Sequence, residues 1–182
     1  MIFTKTEIDG VYIIEPKVFG DNRGYFMETY NENEFKFNGL NYTFVQDNQS
    51  KSKKGVLRGL HFQKIHPQAK LVRVLEGEVL DVAVDLRKGS PSYGKYVSVI
   101  LSEGNKKMFL IPRGFAHGFV VLSETATFIY KCDDFYYPDE EGGILWSDPE
   151  LNINWIYKGE PILSEKDKAH PTLKKSKMEF DL

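Results

Sequence analysis

An all-β barrel or sandwich is the fold class this sequence predicts, on three observations. Period-two alternation rich in β-branched and aromatic residues fills the middle of the chain, short glycine-bearing turns punctuate it, and helical signals are few. The 182 residues suffice for one domain with a sizeable core, and no linker, repeat or low-complexity segment divides positions 1–182.

Taken in order, the first helical signal is NENEF, Asn31 to Phe35, a short stretch that follows the glycine-rich FGDNRGYFMETY segment. QDNQS, from Gln46, is composed of turn-forming residues. VLRGLHFQ, Val56 to Gln63, reads as a buried strand. KLVRVLEGEVLDVAVDL, Lys70 to Leu86, is two alternating runs that read as a hairpin turning at Glu76-Gly77. YVSVILSEGNKKMFLIP repeats the scheme with a turn at Glu103-Gly104-Asn105, and GFVVLSETATFIYKC continues it through Ser123-Glu124. SEKDKAH, Ser164 to His170, has a capping serine with Asp167 three residues later. The charged tail from Lys174 is expected to cover the surface.

With 24 basic against 26 acidic side chains and no sustained run of either sign, nothing marks a nucleic-acid or membrane surface, although a compact anionic ligand is allowed. MIFTKTEIDG has charges where a secretory signal needs its apolar core, and no apolar run approaches a membrane span. A soluble, cytoplasmic protein is the expectation. The lone Cys132 cannot close an internal disulfide, which suits a reducing compartment, and it lacks the neighbours of a catalytic thiol.

Two stretches carry chemistry. In VLRGLHFQ, Arg58 and His61 stand three apart and would fall on opposite faces of a regular strand, unless Gly59 supplies a bulge. The plainer reading is a strand end with two solvated polar groups. In LDVAVDL, Asp81, Ala83 and Asp85 share one face while Leu80, Val82, Val84 and Leu86 share the other, as in a barrel with a polar interior. Beside Arg87 and Lys88, Asp85 is expected to face solvent, whereas Asp81 lies deeper in the run. IPRGFAHGF, Ile111 to Phe119, sets Pro112, Gly114 and His117 in the spacing P-x-G-x-x-H after a strand. That spacing resembles the second half of the cupin signature, whose histidine points into a jelly-roll barrel and commonly binds a metal. The first half departs from it: His61 is followed by Gln63 where a second histidine would stand, and Lys70 occupies a position where an acidic ligand would help. An ammonium has no lone pair for a cation, so the expectation is a cupin double-stranded β-helix with a few short helices and no metal. His66, beside Pro67, is expected to be a solvated loop residue.

Across nearly the whole chain, FGDNRGYFMETY, QDN, LRGLHFQ, KLVRVLEGEV, IPRGFAHGF, YKCDDFY, GILWSDP and LSEKD follow one another in the order of the dTDP-4-dehydrorhamnose 3,5-epimerases, and the sequence resembles that family. The resemblance implies a cofactor-independent homodimer that inverts carbons 3 and 5 of a dTDP-linked 4-keto-6-deoxy sugar. Both carbons are α to the ketone, so the chemistry needs a base, an acid on the opposite face and a cation at the developing enolate. By the same resemblance His61 is the base, Tyr130 the acid, Lys70 the oxyanion partner and Arg58 a diphosphate ligand, a role the guanidinium fork suits. Asp167 would hold the histidine's tautomer, competing with its local reading as part of a capping box. Arg23, Phe26 and Glu28 resemble nucleotide contacts that reach the partner subunit's site, with Phe26 stacking on thymine. Gln46 and Asn48 resemble sugar-diphosphate contacts, against a plain turn. His117 resembles a substrate contact, against a satisfied core histidine. Glu141 and Lys166 match weaker contacts, and Tyr136 would assist or replace Tyr130. The alternatives are an enzyme inverting one carbon, one acting on another nucleotide's sugar, and a metal- or sugar-binding cupin without epimerase activity.

Overall fold

The computed structural model describes residues 1–181. In chain order its strands are β1 (Ile2–Lys5), β2 (Tyr12–Glu15), β3 (Val18–Asp21), β4 (Gly24–Met27), β5 (Gln46–Lys53), β6 (Leu57–Gln63), β7 (Lys70–Glu76), β8 (Glu78–Asp85), β9 (Tyr96–Ser102), β10 (Met108–Ile111), β11 (Phe115–Val121), β12 (Thr125–Cys132) and β13 (Glu141–Gly143). Short helices are α1 (Glu32–Phe37), α2 (Glu165–Lys168) and α3 (Leu173–Ser176), with a 3-10 turn at Pro138–Glu140. Asn31 caps α1, accepting from the backbone N–H groups of Asn33 and Glu34, so NENEF becomes the helix expected of it.

Two antiparallel sheets face each other, one in the order β1-β2-β10-β7-β12-β5 and the other β13-β6-β11-β8-β9, while β3 and β4 pair only with each other. This is the expected jelly roll, but the expected hairpin is absent. β7 and β8, consecutive through Gly77, lie in different sheets, and so do β9 and β10, and β11 and β12. The turns fall where the sequence puts them; each is a corner between sheets. Gly77 shows why such a corner needs glycine: its φ is +80°, and a Cβ there would collide with the carbonyl of Thr125. QDNQS is likewise strand, the start of β5 along β12. Its polar side chains alternate between the barrel interior and solvent, which gives no apolar signal.

The interior core joins the sheets through Val72, Val74, Phe109, Ile111 and Phe128 on one side and Val79, Val97, Leu101, Phe119 and Val121 on the other. Phe119 and Phe128 stack across it with ring centroids 4.2 Å apart, a contact worth about 0.5–1.5 kcal/mol beyond its burial. On the outer face of the five-stranded sheet, Leu80, Val82 and Val84 pack beneath Trp155, Leu173 and Phe180. The tail therefore does more than cover the surface, because Phe180 is 4% exposed and anchors it.

Asp85 corrects its expectation outright: it is fully buried, accepting from Arg87 at 2.9 and 2.8 Å and from the hydroxyls of Ser90 and Ser92 at 2.6 Å each. The turn folds back over the strand end and supplies donors that alternation does not encode. Burial opposes its charge, yet the Arg87 and serine bonds bring its carboxyl from the ordinary 3.8 to about 2. A folded-state value below the unfolded one stabilises the fold above the unfolded value and loses that effect as pH falls through the folded one. Asp85→Asn should cost on the order of 2 kcal/mol at neutral pH in denaturant melts, with the gap to wild type narrowing as pH drops toward 2.

Candidate active site

The spacing of Arg58 and His61 in VLRGLHFQ resolves at Gly59. Across β6 and β11, Arg58 pairs with Phe119 and His61 with His117, so three steps on one strand match two on the other. That is a bulge. Gly59 has φ +127°, and a Cβ there would sit 2.5 Å from the Gly118 Cα. Because of the extra residue, Leu57, Leu60 and Phe62 all join the outer cluster, and Arg58, His61 and Gln63 share the inner face. Arg58 is held by Ser52 of β5, donating from Nε and Nη2 at 3.2 Å each.

His61, Gln63, Lys70, His117, Tyr130, Tyr136 and Glu141 line one pocket between the sheets. His61 comes from the five-stranded sheet, Lys70 and Tyr130 from the six-stranded one, so potential base and acid stand on facing walls. Behind His61, its Nε2 lies 2.5 Å from Asp167 Oδ1. Burial works against the charge of Asp167, but the His61 contact and the Ser164 hydroxyl hold its carboxyl below the ordinary value. An ionised carboxylate only accepts, so Nε2 carries the proton and the Nδ1 lone pair is left to take another.

The two readings of Asp167 hold together. Ser164 Oγ accepts from the Asp167 backbone N–H at 3.1 Å and donates to Oδ2 at 2.8 Å, while Oδ1 serves His61. The helix cap is what aims the carboxylate. Asp148 fixes the neighbouring segment, accepting from the backbone N–H groups of Leu151 and Leu173.

Tyr130 is pushed up to about 12, first by desolvation and then by Cys132, so its phenol keeps its proton at neutral pH and can only donate it. The Lys70 ammonium sits 5.7 Å from the Tyr130 ring centroid. Desolvation pushes Lys70 down, and Cys132, Asp81 and Glu141 counter it. His117 is the satisfied core histidine, 7% exposed and bonded to Asp81 Oδ1 and Oδ2 at 2.9 and 3.0 Å, and it also lines the pocket. Burial pushes His117 down and Asp81 up. Burial also pushes the Cys132 thiol up to about 11, far from a nucleophile's range.

A cupin-type metal position does not fit these residues. The amide of Gln63, standing where a second histidine would ligate, is committed: it donates to the carbonyls of His66 and Phe135 and accepts from the Tyr137 N–H. Lys70, a donor with no free acceptor site of carboxylate or imidazole kind, faces the same space.

At the rim, Tyr136 donates to Glu141 Oε2 at 2.8 Å, and Lys166 bonds the same oxygen. Gln46 accepts from the Tyr136 N–H at 3.1 Å and donates to Asn48, which lies opposite Tyr130. His66 is the part-solvated loop residue expected, its side chain 45% exposed, and it also binds Glu140 Oε1 at 2.7 Å and stacks on Tyr137. Arg23, Phe26 and Glu28 do not line this pocket. Arg23 pairs with Asp21 at the tip of the β3-β4 hairpin, Phe26 is 69% exposed, and Glu28 accepts from Asn31. Sequence reasoning passed over one residue, His170. Its ring lies edge-on to His61, 5.6 Å between centroids, in space that the missing side chain of Gly143 leaves open. The available signal was its spacing, three residues after Asp167 and just past the end of α2.

With this geometry in hand, comparison with known proteins is specific. A family model described as dTDP-4-dehydrorhamnose 3,5-epimerase matches residues 5–175. The dTDP-4-dehydrorhamnose 3,5-epimerase of Salmonella typhimurium is 57% identical over 175 residues, 95% of this chain and 96% of its own. That of Methanothermobacter thermautotrophicus is 53% identical over 176 residues, 96% of this chain and 95% of its own. Among solved structures, a dTDP-6-deoxy-D-glucose-3,5-epimerase from Legionella pneumophila in complex with dTDP-4-keto-L-rhamnose superposes with a TM-score of 0.94 at 49% identity, covering 98% of this chain and 97% of that one.

Proposed function

The chain belongs to the dTDP-4-dehydrorhamnose 3,5-epimerase family, and from that premise we propose how its site divides the work. The reaction inverts carbons 3 and 5 of dTDP-4-dehydro-6-deoxy-D-glucose to give dTDP-4-dehydro-L-rhamnose, a step of dTDP-rhamnose biosynthesis. Each inversion removes a proton α to the C4 ketone and returns one from the other side.

His61 Nδ1 takes the proton, and Asp167 stabilises the imidazolium that results. Lys70 meets the charge growing on the ketone oxygen, where a preplaced cation favours the enolate over the ketone. Tyr130 delivers a proton from the facing wall, and the carboxylate of Glu141 keeps Tyr136 and Lys166 ordered at the rim. Arg58 takes a phosphate of the diphosphate, with Gln46, Asn48 and His117 around the sugar. The observation that carries this reading is the pairing of a histidine on one sheet, backed by the α2 carboxylate, with a protonated, half-buried phenol on the other.

A homodimer belongs to the same reading. Val18, Phe19, Tyr25 and Phe26 are more than 40% exposed on a hairpin that pairs with no other strand, and a second copy would cover them. Arg23, Phe26 and Glu28 would then serve the partner's nucleotide. A cytoplasmic setting suits the free, buried Cys132.

NMR of the product formed from the dTDP-ketosugar tests the proposal. Inversion at both carbons, undiminished after exhaustive chelation, is the expected result. Inversion at one carbon would make it a single-site epimerase, and loss on chelation with recovery on added metal would end the metal-free mechanism.

A further inference from the structure

We infer that His61, Asp167 and His170 form an inhibitory site for a divalent transition metal such as zinc. The three offer two imidazole nitrogens and a carboxylate oxygen, and these atoms all lie within 4.8 Å of one another. Such a donor set suits zinc, with a fourth position left for water.

His170 is the residue that points to a ligand. Its side chain is 9% exposed, its Nε2 lies 3.7 Å from Asp167 Oδ1, and that nitrogen has no hydrogen-bond partner among the described residues. A buried polar atom without a partner calls for an explanation, since its desolvation is uncompensated. An ion among the three side chains would give it one. Ligands about 2.0–2.1 Å from a tetrahedral ion stand roughly 3.3 Å apart, so the 2.5 Å between His61 and Asp167 must open and the 3.7 Å between His170 and Asp167 must close for the three to converge on an ion. The His61 ring, 31% exposed, leaves a way in from the pocket. This set uses Nε2 of His61 and is distinct from the barrel position that Gln63 and Lys70 spoil.

Occupation would stop catalysis through the tautomer. In the working dyad Nε2 holds the ring proton and Nδ1 the lone pair. A metal bound to Nε2 displaces that proton to Nδ1; the ring still carries one proton, now on the atom that should accept the substrate's. The base is lost while the pocket stays intact. The inhibition rests on the reading of His61 as base, whereas the site itself does not.

The test is a zinc chloride titration of the full chain, read both as initial epimerisation rate and as heat of binding, for wild type, His170→Gln and His170→Ala. Each variant's zinc-free rate serves as its own reference. Wild type should be inhibited reversibly, with activity restored by chelator. Both variants should need at least roughly 10- to 100-fold more zinc for the same inhibition, the loss typical even of a supporting contact to a metal ligand, and their binding affinity should fall in step. No binding, or equal affinity and sensitivity in all three proteins, would overturn the site. Binding that depends on His170 but leaves wild-type turnover untouched would overturn the inhibition and count against His61 as the base.

Discussion

Replacing His61 with alanine is expected to lower turnover by at least roughly 10²- to 10⁴-fold, the usual contribution of a positioned general base. Affinity for dTDP should be nearly unchanged, because the phosphate contacts assigned to Arg58 come from a different part of the strand and are held independently by Ser52. Asp167→Asn should follow His61→Ala in direction. An asparagine can present an N–H to Nε2, which would leave the lone pair there and a proton on Nδ1, the wrong tautomer for the task. A steady-state comparison of kcat and KM decides it: the loss belongs in kcat. If Asp167→Asn lost thermal stability alone, with full turnover in the folded fraction, the carboxylate would serve only the helix cap with Ser164.

Lys70→Met should be the next most damaging change, lowering kcat by about 10²- to 10³-fold, as expected when one preplaced donor to a developing oxyanion is removed. Methionine keeps an unbranched apolar stem against Tyr130 and removes only the charge, so the fold is preserved while the enolate loses its counter-ion. Both proton removal and proton return pass through that enolate. Hydrogen exchange and inversion should therefore decline together, and a mutant altered in KM alone would place Lys70 in binding.

How far the surroundings of these residues were visible in the sequence depended on what their neighbours are. The roles expected of His61, Lys70 and Asp167 came from the resemblance, since from the residues alone His61 read as a solvated strand end and Asp167 as part of a helix cap. Alternation also separated the two faces of β8 correctly, with Asp81 inward and Val82 and Val84 in the outer core. It could not name strand partners, because a jelly-roll corner and a hairpin turn use the same glycine-bearing segments, and sheet membership is settled by contacts far along the chain. The same distance effect hid the carboxylate partner of His66, 74 residues away, whereas the serine donors of Asp85 sit in the next turn, whose path alternation does not describe. His170 was only faintly signalled, by its place three residues after Asp167, because its setting depends on the empty space at Gly143 across the fold.

Deuterium incorporation tests the two-walled site most directly. In deuterated water the wild-type product should carry solvent-derived hydrogen at both carbon 3 and carbon 5, because each substrate proton leaves to His61 and is replaced from Tyr130 on the other face. With Tyr130→Phe the base and Lys70 remain, so the enolate still forms and is reprotonated from the side it left; deuterium should continue to enter recovered substrate while inversion falls far more steeply. If exchange and inversion instead fall equally in Tyr130→Phe, the phenol is not the acid of the facing wall, and the division of the site between His61 and Tyr130 is contradicted.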